Sequence, residues 1–347
     1  MALAELKKMH LAPQGAFFMP IRPVGGRSGR KSQSASAVDT QRRVNSENRP
    51  PHGGLFSYEK EGHLARYGIP YRGSKSRIAG WVVDNLPPSE TFIDLFAGGC
   101  AVTHAALLSE KWGSYIANDV ADAPRLFIDA ASGKYAGETR IPTRDEFFAQ
   151  KDNDPYVRYL FSFSNNGRDY LFSRDLEDVK VTASRMLVEP DLETRYRLYS
   201  KFIRLLDDKL TRRQLVELES CHRMLALERL QSLQSLQSLQ SLQLDYREVE
   251  IPSDSTVYCD PPYRGTNCGC YGGFDFDAFD EWLERCGHMV VVSEYTAPHG
   301  CIEVARREKQ CSASANGKNQ RVTERLFVHE SHLDEYNERM SAYKPVD

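Results

Sequence analysis

"TFIDLFAGGCAVTHAALLSEKWGSYIANDV", residues 91–120, carries the clearest architectural signal in the chain. Its opening, "TFIDLFAGG" (91–99), is an apolar run that stops on two glycines, as a buried strand entering a tight turn does. The next residues, "CAVTHAALLSE" (100–110), space Val102, Ala105, Ala106 and Leu108 as one face of a helix. "GSYIANDV" (113–120) is a second apolar strand ending on an acid. Strand, helix, strand at this spacing predicts a βαβ unit, hence a parallel sheet with right-handed crossovers.

Two residues of this unit have the chemistry to hold a nucleoside. Glycine after a first strand lets backbone approach a ligand closely where a helix begins. An acid closing the next strand, about 20 residues on, commonly takes ribose hydroxyls. Gly98 and Asp119 have that spacing, although turn geometry alone also selects Gly and Asp. NAD, FAD and S-adenosylmethionine all fit such a unit. The phosphate fingerprint G-x-G-x-x-G is absent, which weighs against the dinucleotides.

Downstream, strand grammar resumes at 255 and continues through "HMVVVSEYTAP" (288–298) and "ERLFVHES" (324–331). "FDAFDEWLERCG" (276–287) reads as a helix between the first two. Residues 143–230 are mainly helical in pattern, as in "LETRYRLYSKFIRLLDDKL". "SFSNNGRDYLFSRD" (162–175) marks a turn among them. The expected architecture is a doubly wound α/β sheet interrupted by a helical insert. In such sheets ligands bind at the carboxyl ends of strands. That rule puts Asp94 to Gly99, Asp119 and Asp260 to Tyr263 on one rim.

The last of these, in "STVYCDPPYRGT" (255–266), is the least like ordinary packing. Two prolines end the strand because they cannot donate to a sheet ladder. A planar exocyclic amine, such as N6 of adenine, is a weak nucleophile because its lone pair is delocalised into the ring. The Asp260 carboxylate and the Pro261 carbonyl are two acceptors for its two hydrogens, and proline's fixed φ holds that carbonyl. Tyr263 could stack on the base, worth about 1–3 kcal/mol. A base inside a duplex is out of reach and would have to flip out. A proline-rich turn capping a strand is the ordinary alternative.

"PYRGSKSRI" (70–78), "DLFAGG" (94–99), "ANDV" (117–120) and "YCDPPY" (258–263) resemble the successive motifs of Dam-type DNA adenine-N6 methyltransferases. The resemblance covers roughly residues 67 to 335, in the family's alpha motif order. It implies a Rossmann-like, S-adenosylmethionine-dependent methyltransferase sheet with a mostly helical target-recognition domain inserted before DPPY. It further implies that Tyr71, Gly73, Ser74 and Lys75 line the methionine end of the cofactor. Asp94, Phe96 and Gly98 would form the glycine-loop wall, and Asp119 the ribose contact. Asp260, Pro261 and Tyr263 would hold the flipped adenine, with direct methyl transfer and no covalent enzyme intermediate. One departure is the family's F-x-G-x-G, which here reads Phe96-Ala97-Gly98-Gly99-Cys100 and leaves the path of the loop open.

The expected organisation is a disordered basic tail (1–62), a catalytic domain (63–142 and 246–335), a target-recognition insert (143–245) and a C-terminal tail (336–347). The first segment is rich in Gly, Pro, Ser and Arg and cannot bury enough apolar surface to order itself. In the insert, Asn165, Asn166 and Arg168 have the chemistry to read adenine and guanine edges. Lys318 and Arg321, in "SANGKNQR" (314–321), are further candidate DNA contacts, as are Arg212 and Arg213 for phosphate. A plain loop and solvated helix charges are the ordinary readings of these groups. "LQSLQSLQSLQSLQ" (230–243) repeats Leu every third residue, a stripe that drifts by about 60° per repeat on a helix. It reads as an extension of the preceding helix or a connector, with no catalytic role.

The 347-residue chain has a net charge of −3, so any affinity for DNA must come from a local face rather than a global field. Its 8 cysteines show no metal-binding spacing and read as reduced thiols; no metal site is expected. No apolar run approaches the ~18 residues of a membrane span. A cytoplasmic protein of a bacterial or phage-infected cell is expected, monomeric or weakly dimeric, acting on double-stranded DNA. No endonuclease-like segment stands in the chain, so a solitary enzyme of phage origin is expected ahead of a restriction-modification partner.

Rival readings stand beside this one. Cytosine-N4 methylation faces the same amine problem, but such enzymes more often carry Ser at the Asp260 position. RNA or protein methylation more often has Asn there, and a cytosine-C5 enzyme needs a Pro-Cys dipeptide, absent here. A non-catalytic DNA-binding regulator on the same fold is the rival of a different class, opposed by the intact Lys75, Asp119 and Asp260.

Overall fold

A computed structural model describes residues 67–205, 223–224, 226–227, 230, 233, 238–265, 273–311 and 320–343, the side chains of 309–311 and 320–321 excepted. The expected basic tail, Arg212, Arg213, Lys318 and much of the Leu-Gln-Ser repeat lie outside these residues. The described residues belong to one unit, Leu64–Asp347.

Seven strands form one sheet: β1 Thr91–Asp94, β2 Ser114–Asn118, β3 Leu239–Leu242, β4 Ser255–Cys259, β5 Val290–Glu294, β6 Cys301–Cys311 and β7 Gln320–His329. Their order is β3-β2-β1-β4-β5-β7-β6. The first five in that order pair in parallel, and β7 runs antiparallel to both β5 and β6. Every residue of β1, β4 and β5 is buried, as strands covered on both faces must be. Alternate residues feed two cores. Phe92, Tyr258 and Val291 point into one, Ile93, Val257 and Val290 into the other.

The helices are α1 Ala79–Asp84, α2 Ala101–Ser109, α3 Ala123–Ala131, α4 Arg144–Gln150, α5 Pro155–Leu160, α6 Glu177–Val188, α7 Leu192–Leu205, α8 Phe276–Arg285 and α9 Leu333–Ala342. Among the described residues between β2 and β3 the elements are all α- or 3-10 helices, and no strand is formed. Thr143 opens α4 with a capping box, its hydroxyl accepting from the Glu146 N–H while the Glu146 carboxylate accepts from the Thr143 N–H. Asp154 caps α5, with Pro155 at the first helical position where its missing N–H does no harm. No described helix is long and apolar enough to cross a membrane.

Two expectations are corrected. The end of the Leu-Gln-Ser repeat is neither helix nor connector. Leu239–Leu242 is edge strand β3, in register with Tyr115–Asn118 of β2, so the sheet reclaims four residues assigned to the insert. A three-residue leucine period alternates faces on a strand. Leu239 packs against one core and Leu242 against the other, which no single helix face would achieve. The expected C-terminal tail, from 336, begins inside α9. Tyr336 is buried and its hydroxyl donates to the Asn85 carbonyl at 3.0 Å, fastening the helix to the end of α1.

Candidate active site

The carboxyl ends of the parallel strands carry acids in turn: Asp94 on β1, Asp119 just past β2, Asp260 just past β4, and Glu294 on β5. Because β7 is antiparallel, its early residues reach the same rim. Glu294 pairs with Arg325, which brings Glu324 beside it.

The glycine loop between β1 and α2 is built for close approach. Gly98 has φ +48°, and its N–H donates to Asp119 Oδ2 at 2.8 Å, while Asp119 Oδ1 accepts from the Ala121 N–H at 2.9 Å. A Cβ on Gly98 would meet the Tyr71 ring at 2.9 Å, and one on Gly99 would meet Tyr71 Cβ at 2.5 Å and the Ile69 carbonyl at 2.8 Å. Cys100, at φ +56°, takes the left-handed conformation a glycine adopts freely, with its side chain fully buried. The loop therefore keeps the glycine path although its last residue is cysteine.

Residues 67–75 lie as a strap across this loop. The Gly68 N–H donates to His104 Nδ1 at 2.9 Å and the Ile69 N–H to the Gly99 carbonyl at 2.8 Å. Burial depresses the His104 imidazole to about 4, so it is the neutral acceptor this bond requires. Tyr71 to Ser74 closes a turn, the Ser74 N–H donating to the Tyr71 carbonyl, with Gly73 at φ +78° in the third position where such turns want glycine. The turn carries Lys75 inward. Its Nζ lies 2.6 and 2.7 Å from the two oxygens of Asp260, 3.8 Å from Glu324 and 4.6 Å from the centre of the Tyr263 ring. Burial alone would lower the Lys75 ammonium, yet the Asp260 and Glu324 carboxylates hold it above its ordinary value.

Tyr263 is 9 % exposed, edge-on to Tyr295, with its hydroxyl donating to the fully buried Glu324. One face of this ring already carries the Lys75 ammonium. Asp260 is more open, its side chain 17 % exposed. Glu294, 2 % exposed, accepts from the Arg264 and Tyr295 N–H groups and so fixes the chain just beyond DPPY.

The rim is electrostatically crowded. Burial raises the Asp94 carboxyl to about 7, helped by the Asp260 and Asp119 charges and opposed by the Thr103 hydroxyl donating to Oδ2 at 2.8 Å. Asp94 Oδ1 has no hydrogen-bond partner. Burial likewise raises Asp119, against the two N–H groups it accepts, and the Asp260 charge adds to it. Such a rim favours a cationic ligand.

Of the residues expected at the site, Tyr71, Gly73, Ser74, Lys75, Asp94, Gly98, Asp119, Asp260, Pro261 and Tyr263 stand on the strap or at these strand ends. Phe96 packs among Tyr246, Phe274 and Phe279, a wall behind the loop. Glu324, Glu294 and His104 went unforeseen. Glu324 lies midway along β7 in an unremarkable run of residues, and only its place in an antiparallel ladder brings it to the rim.

The expected base-reading group is organised differently. Asn165, at φ +53°, donates its amide to the Tyr159 carbonyl, and Asn166 Oδ1 accepts from the Arg168 and Asp169 N–H groups. Both side chains are engaged in shaping their own loop. Arg168 is exposed and pairs with Asp169 at 3.1 Å, a surface contact easily exchanged. Arg321 pairs with Gln310 in the β6–β7 ladder.

Strand order, the antiparallel seventh strand and an acid-lined rim beside a glycine loop define a Rossmann-like methyltransferase fold. The chain belongs to the D12 class N6 adenine-specific DNA methyltransferase family, whose model matches residues 71–298, and it is thus an enzyme methylating adenine N6 in DNA. The cytosine-N4 and regulator rivals fall with that membership. Comparison with curated proteins gave no match.

Proposed function

We propose that the methyl donor is S-adenosylmethionine and the acceptor a flipped adenine in double-stranded DNA. The observation that carries this reading is that Asp119, bonded to the glycine loop at the Gly98 N–H, and Asp260 of DPPY, bonded to Lys75 of the strap over that same loop, stand at the carboxyl ends of β2 and β4. One is suited to a ribose, the other to an amine.

The residues fit the donor. The loop at Gly98 has the closeness a nucleoside needs, Asp119 keeps lone pairs for ribose hydroxyls beyond the two N–H groups it accepts, and Asp94 has an unpartnered oxygen. Bound there, the donor supplies an activated methyl on a sulfonium, a cation suited to the acidic rim. Asp260 and the Pro261 carbonyl each accept one hydrogen of the adenine amine, orienting its lone pair toward the methyl. Tyr263 bounds the base on one side. Asp260 is recessed at 17 % exposure, so an adenine must leave its stack to reach it. Catalysis then comes from positioning and electrostatics.

The free thiols of Cys100, Cys259, Cys286 and Cys301 suit the reducing cytoplasm of a bacterial or phage-infected cell. Asp260→Ala should abolish methyl transfer, by at least about 10²-fold, while leaving cofactor affinity within about twofold. Full activity in that variant overturns the reading. Sequencing methylated positions in DNA from cells expressing the protein reports base and target together.

A further inference from the structure

Glu324 is a fully buried carboxylate for which the transfer itself has no use. It accepts the Tyr263 hydroxyl and lies 3.8 Å from Lys75 Nζ, while Lys75 sits on both oxygens of Asp260 and over the Tyr263 ring. One ammonium is thus shared by two carboxylates, and it covers both groups that an incoming adenine must touch. A buried ammonium drawn away from Asp260 needs another anion, since an unpaired charge there is strongly unfavourable. Glu324 is the carboxylate in reach. Its own position is set by β7, where Glu324 pairs with Arg307 next to the Glu294–Arg325 pair.

We propose that Glu324 is a positioning residue, which anchors the Tyr263 ring and receives the Lys75 ammonium when an adenine amine takes up Asp260. The inference rests on the assignment of Asp260 and Tyr263 to the base. No covalent step is involved: Lys75 keeps its proton and exchanges one acceptor for the other.

Glu324→Gln separates the two parts of this role, because the amide oxygen still accepts from Tyr263 but carries no charge for Lys75. With the target mapped, 2-aminopurine placed at the methylated adenine reports the base leaving its stack. In Glu324→Gln the single-turnover methylation rate should fall at least about tenfold, while the 2-aminopurine signal, from a base with no 6-amine for Asp260, should stay near the parental one. S-adenosylmethionine affinity should stay within about twofold and the melting temperature nearly unchanged, and Glu324→Asp should recover part of the rate. A Glu324→Gln enzyme with parental rate overturns the proposal. So does a parallel loss of rate, cofactor affinity and melting temperature, which marks a purely structural residue. Asp260→Ala run alongside distinguishes the levels. If it is active, the site assignment itself fails; if it is inactive while Glu324→Gln is normal, only the role of Glu324 fails.

Discussion

Lys75 Nζ lies 2.6 and 2.7 Å from the two carboxylate oxygens of Asp260, although 185 residues separate them in the chain. The pair ties the strap over the glycine loop to the DPPY turn, so the two halves of the rim are joined by one partly buried contact. Lys75→Met should leave the buried Glu324 and the partly buried Asp260 without their shared cation. The expected loss of stability is on the order of 3 kcal/mol, measured by urea unfolding, with methylation falling as well.

The two loop glycines should differ in a definite order. Gly98→Ala adds a left-handed strain of about 1–2 kcal/mol and a contact with the movable edge of the Tyr71 ring, so the protein should fold but bind cofactor more weakly. Gly99→Ala meets the Ile69 carbonyl, which the Ile69 N–H to Gly99 bond holds in place, and should destabilise more. Thermal melts and cofactor titrations of both variants check the order.

Cys100→Gly should be nearly neutral. It relieves about 1 kcal/mol of left-handed strain but removes a buried thiol and adds freedom to the unfolded chain, effects of similar size. Cofactor affinity should be retained, because the loop already follows a glycine path. Denaturation midpoints within about 1 kcal/mol of the parent are expected.

Between about pH 4 and about 7 two buried groups pull stability in opposite directions as pH rises: His104, held near 4 against an ordinary 6.5, raises it, and Asp94 lowers it. The folded Asp94 carboxyl titrates near 7 against an ordinary value of 3.8, so in that window it binds more proton than in the unfolded chain. The favourable contribution is complete below the ordinary value and is lost as pH passes through the raised one. Asp119 and Glu294 are shifted the same way. Asp94→Asn should make the slope more positive than the parent's by up to one proton, as read from unfolding free energies across the window.

Local chemistry determined much of this protein. Apolar runs ending on Gly98 and Asp119, the helical spacing after Cys100 and the two prolines of DPPY are each written within a few residues, and the physics acting on them is local. They were enough to set β1, α2, β2 and β4 in a parallel sheet with Gly98, Asp119 and Asp260 at one rim. Three features were decided only by the assembled sheet. The leucine repeat became an edge strand because β2 offered an unpaired ladder and a core on each face, one for Leu239 and one for Leu242. Tyr336 was drawn out of an expected tail by the Asn85 carbonyl at the end of α1. Glu324 came to the rim because β7 runs against its neighbours, and a strand's direction is a property of its pairing rather than of its residues.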